Sequence, residues 1–527
     1  MTAKIYSCSF SGLECRIIEV QADISNGLSA FSIVGMGDIS VQESKERIRS
    51  SIKNSGLNYP QTKKTVNLAP AQIRKQGTLF DLPIAMSLLL ASGQINNKIF
   101  EKSIVVGELS LGGDIKGVNG ILPITEYAKS KGFKKIFLPK ENAMEASFIE
   151  DIDIYPLDNL KAFVDFCCET KGRILQKFQH NDISKFKINL SNSSSGNSHL
   201  FSQIAGHEKA KRALAIAASG RHNILFQSSP GCGKTILARA FRDLLTKMTE
   251  DEILETTKIY SIAGLIDKEA PLITNRPFRE VHHTASLVSI IGGGAVNPKP
   301  GEISLAHNGV LFLDEITEFS KQVLEALRQP LEDKFINVTR SNFSVKFPCN
   351  FILIATMNPC QCGYNLDRKI KCICSEAQLN NYKKRLSGPI LDRFDMFIDI
   401  EKIPINDFFG KNFDKNESYK NELLQNIKMA EFMQKQRFRD HRRIKSNSDM
   451  QLMEIRNCCS IDEESRKILT DASKNLNLSN RGYLRTLKIA RTIADLEGKT
   501  NILSSHILEA IQYRQLIKNQ DSSILCQ

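Results

Sequence analysis

The feature that most constrains this fold lies at residues 228–235, which read SSPGCGKT. An apolar strand-like run, 223–226, precedes it, and Ile236, Leu237, Ala240, Phe241 and Leu244 follow on one helical face. A glycine-rich loop between strand and helix leaves backbone N–H groups unpaired at a helix N-terminus, where the dipole favours an anion. The amides of Gly231, Cys232 and Gly233 would cradle phosphates, with Ser228, Ser229 and Pro230 shaping the entry. Lys234 would neutralise β and γ oxygens, and Thr235 would ligate Mg2+, so ATP with magnesium is the expected ligand. The competing reading is a bare glycine-rich turn. Ser228 stands where such loops usually carry glycine, whose freedom at positive φ shapes the turn; with GKT and its flanks intact, nucleotide binding is still expected, and the effect on affinity or rate is left open.

Two further strand ends join this loop. Val310-Leu311-Phe312-Leu313 reads as a fully buried parallel strand and ends in Asp314-Glu315, 80 positions after Lys234. Ligands sit at the carboxyl ends of such strands, so Asp314 would hold magnesium and Glu315 would orient the attacking water. Without the loop, two acids capping a strand would be an equally good reading. A third strand, 351–356, ends in Met357-Asn358, and Asn358 is placed to sense a γ-phosphate.

A chain of 527 residues exceeds one ordinary core and suggests about three domains. With 41% apolar and 24% charged residues it is neither disordered nor membrane-like, and no run reaches the roughly 18 apolar residues that span a bilayer. No signal-peptide pattern is seen at the start, so a cytoplasmic location is expected. Thirteen cysteines, an odd number in a reducing compartment, argue against a disulfide framework. The formal charge of +13 favours a polyanionic partner such as DNA if it is gathered on one face, although a lysine-rich bias gives the same sum.

Residues 1–168 alternate strand-like and helix-like runs: a helix over 40–55, a strand over 65–69, an apolar helix over 81–92, then β-rich runs 103–111 and 114–118 around Gly112-Gly113. SNSSSGNS (191–198) is the strongest linker signal, within a linker expected over 169–199. The motor core is expected over 200–403, a helical domain over 404–518 and a tail over 519–527.

Cys360-x-Cys362 and Cys372-x-Cys374 offer four thiolates, a donor set that suits tetrahedral zinc, although one-residue spacers depart from the usual pattern. Reduced thiols packed in a loop are the alternative. Residues 335–347 read as a β-hairpin, with Ile336 and Val338 facing Val345 and Phe347. A second basic cluster, Lys435, Arg437, Arg439, Arg442, Arg443 and Lys445, reads as a solvated linker ahead of a DNA contact. His282-His283 lacks metal-ligand spacing and reads as a turn or interface element.

The blocks RPFREVHHTAS (276–286), GGGAVNPKPGEISLAHNGVLFLDE (292–315), MNPCQCG (357–363) and SGPILDRFD (387–395) resemble the ComM/YifB family of magnesium-chelatase-like AAA+ ATPases. NGLSAFSIVGMGD (26–38), VNLAPAQIRKQGTLFDLPIA (66–85) and ARTIADLEG (490–498) extend the likeness through both flanking domains. The resemblance implies an α/β chain with a Lon-protease-like (ribosomal S5 domain 2-like) N-terminal domain, a P-loop AAA+ core with a parallel sheet, and an all-α C-terminal lid. It implies a hexameric ring that hydrolyses ATP to drive branch migration of recombination intermediates, helping incoming single strands integrate during DNA uptake. Arg393 in LDRFD looks like the arginine finger and Arg481 like the second sensor. In related motors the hairpin points into the channel, which makes Arg340 and Lys346 candidates for DNA phosphate contacts. Leu79 and Leu122 stand where a Lon protease has its serine and lysine, so no peptidase activity is expected. A motor that remodels a protein partner or inserts a metal ion would look almost the same.

Overall fold

Alternating polarity at the start of the chain builds an antiparallel hairpin in the computed structural model, which describes residues 3–75, 77–168, 175–180, 200–294, 298–340, 343–367, 369–402, 413–441 and 444–514. Strands β1 (Ala3–Ser11) and β2 (Glu14–Ser25) pair with Ile5 opposite Val20, and Ile5, Cys8, Ile18 and Val20 are buried. With β3 (Ala30–Val34) and β4 (Lys63–Ala69) they form a sheet of order β1-β2-β4-β3. Helix Ile39–Asn54 starts on the Asp38 cap and buries Val41, Ile48 and Ile52. Helix Asp81–Ala91 buries every residue from Asp81 to Leu89, as a helix apolar on all sides must. Strands β5 (Ser103–Val105), β6 (Glu108–Leu109) and β7 (Ile115–Lys116) are shorter than the two expected β-rich runs. The β6–β7 pair does turn around Gly112-Gly113. Strands β8 (Lys135–Pro139) and β9 (Asp153–Leu157) complete a parallel sheet with β5. One hydrophobic core runs from Ile5 to Cys167. Of the expected linker, only 175–180 are described; 169–174 and 181–199, with the serine-rich run, lie outside the described residues.

The central sheet is wholly parallel, in the order β11 (Phe278–Val281), β14 (Val310–Leu313), β17 (Ile352–Met357), β10 (Ile224–Gln227), β18 (Met396–Asp399). Its alternation divides the core in two. Ile224, Phe226, Val310, Phe312, Ile352 and Ile354 face helix Glu208–Gly220 and the C-terminal helices, while Leu225, Leu311, Leu313 and Leu353 face the other way. That second face is closed by the hairpin β15 (Phe335–Arg340) and β16 (Phe343–Pro348), whose Ile336, Val338, Val345 and Phe347 are buried. Strands β12 (Gly292–Gly293) and β13 (Lys299–Pro300) make a small separate pair.

Residues 413–514 contribute the helices Phe413–Arg437, Leu452–Cys458, Glu463–Asn475, Asn480–Leu496 and Ser504–Gln512, and no strand among the described residues. Pro404 and residues 410–412, ahead of these helices, lie outside the described residues, as does 519–527. The basic cluster reads differently in three dimensions. The Arg437 guanidinium is not free for DNA: it grips Asp495 at 2.8 and 2.6 Å and Asn447 at 3.0 Å. Arg442 and Arg443 lie outside the described residues.

The N-terminal domain is joined to the core through helix Glu250–Ala263. The Gly120 N–H donates to the Ser261 carbonyl at 3.2 Å, the Ser261 hydroxyl to Glu145 at 2.5 Å, and Lys258 pairs with Glu126 at 2.6 Å. Gly12, in the β1–β2 turn, packs on Val345 of the hairpin; a Cβ there would fall 2.0 Å from Val345 Cγ1. Among the described residues no helix is long and apolar enough to cross a membrane.

Candidate nucleotide site

Three neighbouring strands, β10, β17 and β14, deliver the site at their carboxyl ends. After β10 the loop reaches helix Lys234–Ala240 through Gly231 (φ 77°) and Gly233 (φ 83°), both in the left-handed region that glycine allows. Neither would meet backbone if given a side chain, so their role is conformational. Ser228 is not among the residues with positive φ, which removes the physical reason for requiring glycine there. Its hydroxyl donates to the Ser229 carbonyl at 2.9 Å, and its own carbonyl accepts from Lys234 Nζ at 2.8 Å.

Lys234 is 9% exposed and also donates to Asn358 Oδ1 at 2.7 Å, linking the loop to the end of β17. Burial pushes its ammonium below the usual value, against the pull of Asp314 and Glu315. Thr235 Oγ1 donates to Asp314 Oδ2 at 3.1 Å, so the two expected magnesium ligands are already adjacent. Glu315 is exposed at the rim with φ 52° and ψ 56°, a left-handed conformation that bends the chain out of the strand. The donor set fits Mg-ATP: a lysine and loop amides for the phosphates, a hydroxyl and a carboxylate side by side for a hard cation.

Two participants were missed in the sequence. Thr356, inside β17, donates to Asp314 Oδ1 at 2.5 Å and accepts the Glu315 N–H at 2.9 Å, so one hydroxyl fixes the Asp314 carboxylate and the Glu315 backbone. A polar residue within the run 351–357 was the available signal. Tyr382 donates to the Asn358 carbonyl at 3.1 Å and meets the Thr317 hydroxyl at 2.8 Å, tying the sensor strand to the turn after Glu315; nothing local in sequence marks it.

The four cysteines converge beside the phosphate loop. Cys360 Sγ lies 3.3 Å from Cys362 and 3.7 Å from Cys372, Cys362 lies 3.5 Å from Cys372, and all four sulfurs fall within 4.8 Å of one another. Zinc–sulfur bonds of about 2.3 Å imply tetrahedral edges near 3.8 Å, so the thiols fit that ion. The Tyr364 and Ile373 N–H groups draw the Cys362 thiol down to about 6, and, against the pull of the Cys374 N–H, the crowding of thiols pushes Cys372 up to about 12. Gly363 (φ 87°) lets this loop touch Pro230, where a Cβ would come within 2.7 Å of the ring.

The two arginines lie elsewhere. The Arg393 carbonyl accepts from Asn223 Nδ2 at 3.0 Å, just before β10 and therefore at the amino end of the sheet, opposite the phosphate loop. Its side chain is 5% exposed and pairs with Glu332 at 2.5 Å; Arg481, 61% exposed, approaches the same carboxylate oxygen at 3.5 Å. Neither is brought to this chain's own phosphate loop. Lys346 is exposed on β16 with its ammonium 3.5 Å from the Phe335 ring centroid, while the Arg340 side chain lies outside the described residues. His282 bonds Thr284 at 2.8 Å within a turn, as read from sequence. Leu79 and Leu122 are buried apolar residues at 5% and 0% exposure.

Three family descriptions match successive parts of the chain: "Subunit ChlI of Mg-chelatase" over residues 20–142, "Magnesium chelatase, subunit ChlI" over 200–408, and "Magnesium chelatase, subunit ChlI C-terminal" over 418–514. Competence protein ComM of Haemophilus influenzae is 38% identical over 518 residues, covering 98% of both chains. YifB of Escherichia coli is 37% identical over 506 residues, covering 96% of this chain and 95% of its own. The chain belongs to the ComM/YifB family of magnesium-chelatase-like AAA+ ATPases. More distantly, the magnesium-chelatase 67 kDa subunit of Heliobacterium mobile is 27% identical over 243 residues, 41% of this chain and 35% of that one. Lys234, Thr235, Asp314, Thr356 and Asn358, joined by these hydrogen bonds, all lie within the region that the central family description spans.

Proposed function

We propose that this ComM/YifB protein is an ATP-driven DNA translocase or helicase that promotes branch migration during recombination and DNA uptake, acting as a hexameric ring. The observation that carries the reading is the division of the site: the phosphate-facing groups sit at one end of the parallel sheet, and Arg393 and Arg481 at the other. A finger at the far end serves a neighbouring subunit, and such fingers contribute about 10³- to 10⁵-fold in rate. Full-length identity with a competence protein supports DNA as the substrate, and exposed Lys346 on the hairpin supplies a phosphate contact.

In this reading Lys234 and the loop amides bind the triphosphate, and Thr235 and Asp314 hold magnesium, whose charge assists departure of the leaving oxygen. Glu315 orients and polarises the attacking water, and Asn358 registers the terminal phosphate. The cysteine loop carries a structural zinc that braces Pro230. The first 168 residues form a Lon-like domain without peptidase chemistry that packs and assembles, and the helices after 413 act as the lid. The protein works in the cytoplasm.

The test is migration of a three- or four-stranded junction by pure protein with ATP, compared with Glu315→Gln, which binds nucleotide and stalls. Equal migration by both proteins overturns hydrolysis as the driver, and migration by neither removes the DNA role. The magnesium-chelatase likeness favours a second reading, a motor that remodels a protein partner. ATP turnover unaffected by DNA supports it.

A further inference from the structure

One carboxylate oxygen lies between the two arginines. Glu332, near the C-terminal end of helix Arg328–Asp333, sets Oε1 2.5 Å from Arg393 Nη2 and 3.5 Å from Arg481 Nη1. Arg393 is otherwise held by the Pro389 carbonyl at 2.7 Å, and its carbonyl accepts from Asn223 Nδ2 and from Arg485 Nη1 at 3.1 Å. Its buried Nε has no partner. An oxygen shared by two guanidiniums is the arrangement a terminal phosphoryl oxygen makes with two cations. The carboxylate carries less charge than a phosphate, and Glu332 at 48% exposure can withdraw while Arg393, 5% exposed, stays in place, so the contact is exchangeable from the carboxylate side.

We propose that Glu332 is a positioning residue that stands in for phosphate, holding Arg393 and Arg481 together until an adjacent subunit's nucleotide takes them. This rests on the reading of Arg393 as a finger acting on a neighbour. Glu332 lies three positions before Phe335, where β15 begins, so exchange of its partners is felt at the base of the hairpin. The carboxylate therefore restrains the motor in the absence of a loaded neighbour and joins finger engagement to hairpin position.

The experiment is ATP turnover per subunit by the full-length chain without DNA, over a range of protein concentrations. Glu332→Gln keeps the shape and removes the charge. It should raise turnover about two- to fivefold below saturation and lower the half-maximal protein concentration by a similar factor, the range that an ion pair with one exposed partner supports. Adding Arg393→Ala should abolish the gain, which a merely structural role for Glu332 would not produce. Turnover at or below wild type with unchanged melting, or a gain that survives Arg393→Ala, overturns the proposal. If Glu332→Gln melts early, Glu332→Asp, which withdraws the charge by one methylene, must still give an Arg393-dependent rise, and its absence is equally fatal. Wild-type turnover by Arg393→Ala alone would instead refute the finger reading.

Discussion

Thr356→Val tests the proposed ATPase centre through a residue that no motif marks. Valine matches threonine in shape, so β17 and its core contacts should survive while one hydroxyl disappears. That hydroxyl makes a charge-assisted bond to Asp314 at 2.5 Å and accepts the Glu315 N–H at 2.9 Å. A bond to a charged group contributes about 1.5–3 kcal/mol and a neutral one about 0.5–1.5 kcal/mol, so about 2–4 kcal/mol of positioning is lost before solvent recovers part of it. Asp314 is half-buried and Glu315 exposed, so water compensates substantially, leaving about 1.4–2.8 kcal/mol, or a ten- to hundredfold fall in kcat. Steady-state turnover across a magnesium titration is the assay: kcat should fall, half-saturation should move to higher magnesium, and nucleotide binding in EDTA should change little. Thr356→Ser should restore most of the rate. Wild-type kcat in Thr356→Val, with intact melting, would refute the claim that this hydroxyl fixes the Asp314 carboxylate and the Glu315 backbone for turnover.

Ser228→Gly should change nucleotide affinity by less than about threefold, because Ser228 does not use the left-handed region; a large gain in affinity by calorimetry would contradict this. Stripping metal from the four cysteines should release about one zinc per chain and weaken nucleotide binding, and Gly363→Ala should weaken it too by pressing on Pro230; metal analysis and fluorescent-nucleotide titration check both. Arg437→Ala should destabilise the protein by about 1.5–3 kcal/mol, since buried Asp495 loses one of its two arginines and keeps Arg491 at 2.9 Å, without altering the salt dependence of DNA binding. Burial pushes Asp81 up to about 6 although Arg47 draws it down, so between about pH 4 and 6 the folded state holds a proton that the unfolded chain has lost. This group's stabilising share is therefore complete below pH 4 and lost as pH rises through 6. Urea melts of wild type against Asp81→Asn should diverge by up to about 1.4 kcal/mol per pH unit across that window.

The parts of this fold legible in sequence were those whose cause is local. Gly231, Gly233 and Lys234 declare a phosphate loop because strand, turn and helix signals follow one another directly between 223 and 244, and the apolar run before Asp314 declares a buried parallel strand. The hairpin was legible for the same reason, since Ile336 faces Phe347 and Val338 faces Val345 across a short turn. What escaped depends on partners far along the chain. Arg437 looked like part of a solvated basic cluster because its carboxylate, Asp495, comes 58 positions later. The burial of Arg393 depends on Glu332, 61 positions earlier, and the contact of Gly12 with Val345 brings the first turn of the chain onto the hairpin. The short β5, β6 and β7 show the opposite error. Apolar residues over 103–118 signalled β structure, but the turns at Val106-Gly107 and Gly112-Gly113 divide it into two- and three-residue strands.

The most direct test is calorimetric titration of Mg-ATP into Glu315→Gln, with Lys234→Ala added in a second variant. Saturable binding near one nucleotide per chain is expected in the first and its loss in the second, because Lys234 joins the loop to Asn358 where the phosphates would dock. Equal heats and equal stoichiometry in the two proteins would place the nucleotide somewhere other than the ends of β10, β14 and β17 and refute the phosphate-loop site.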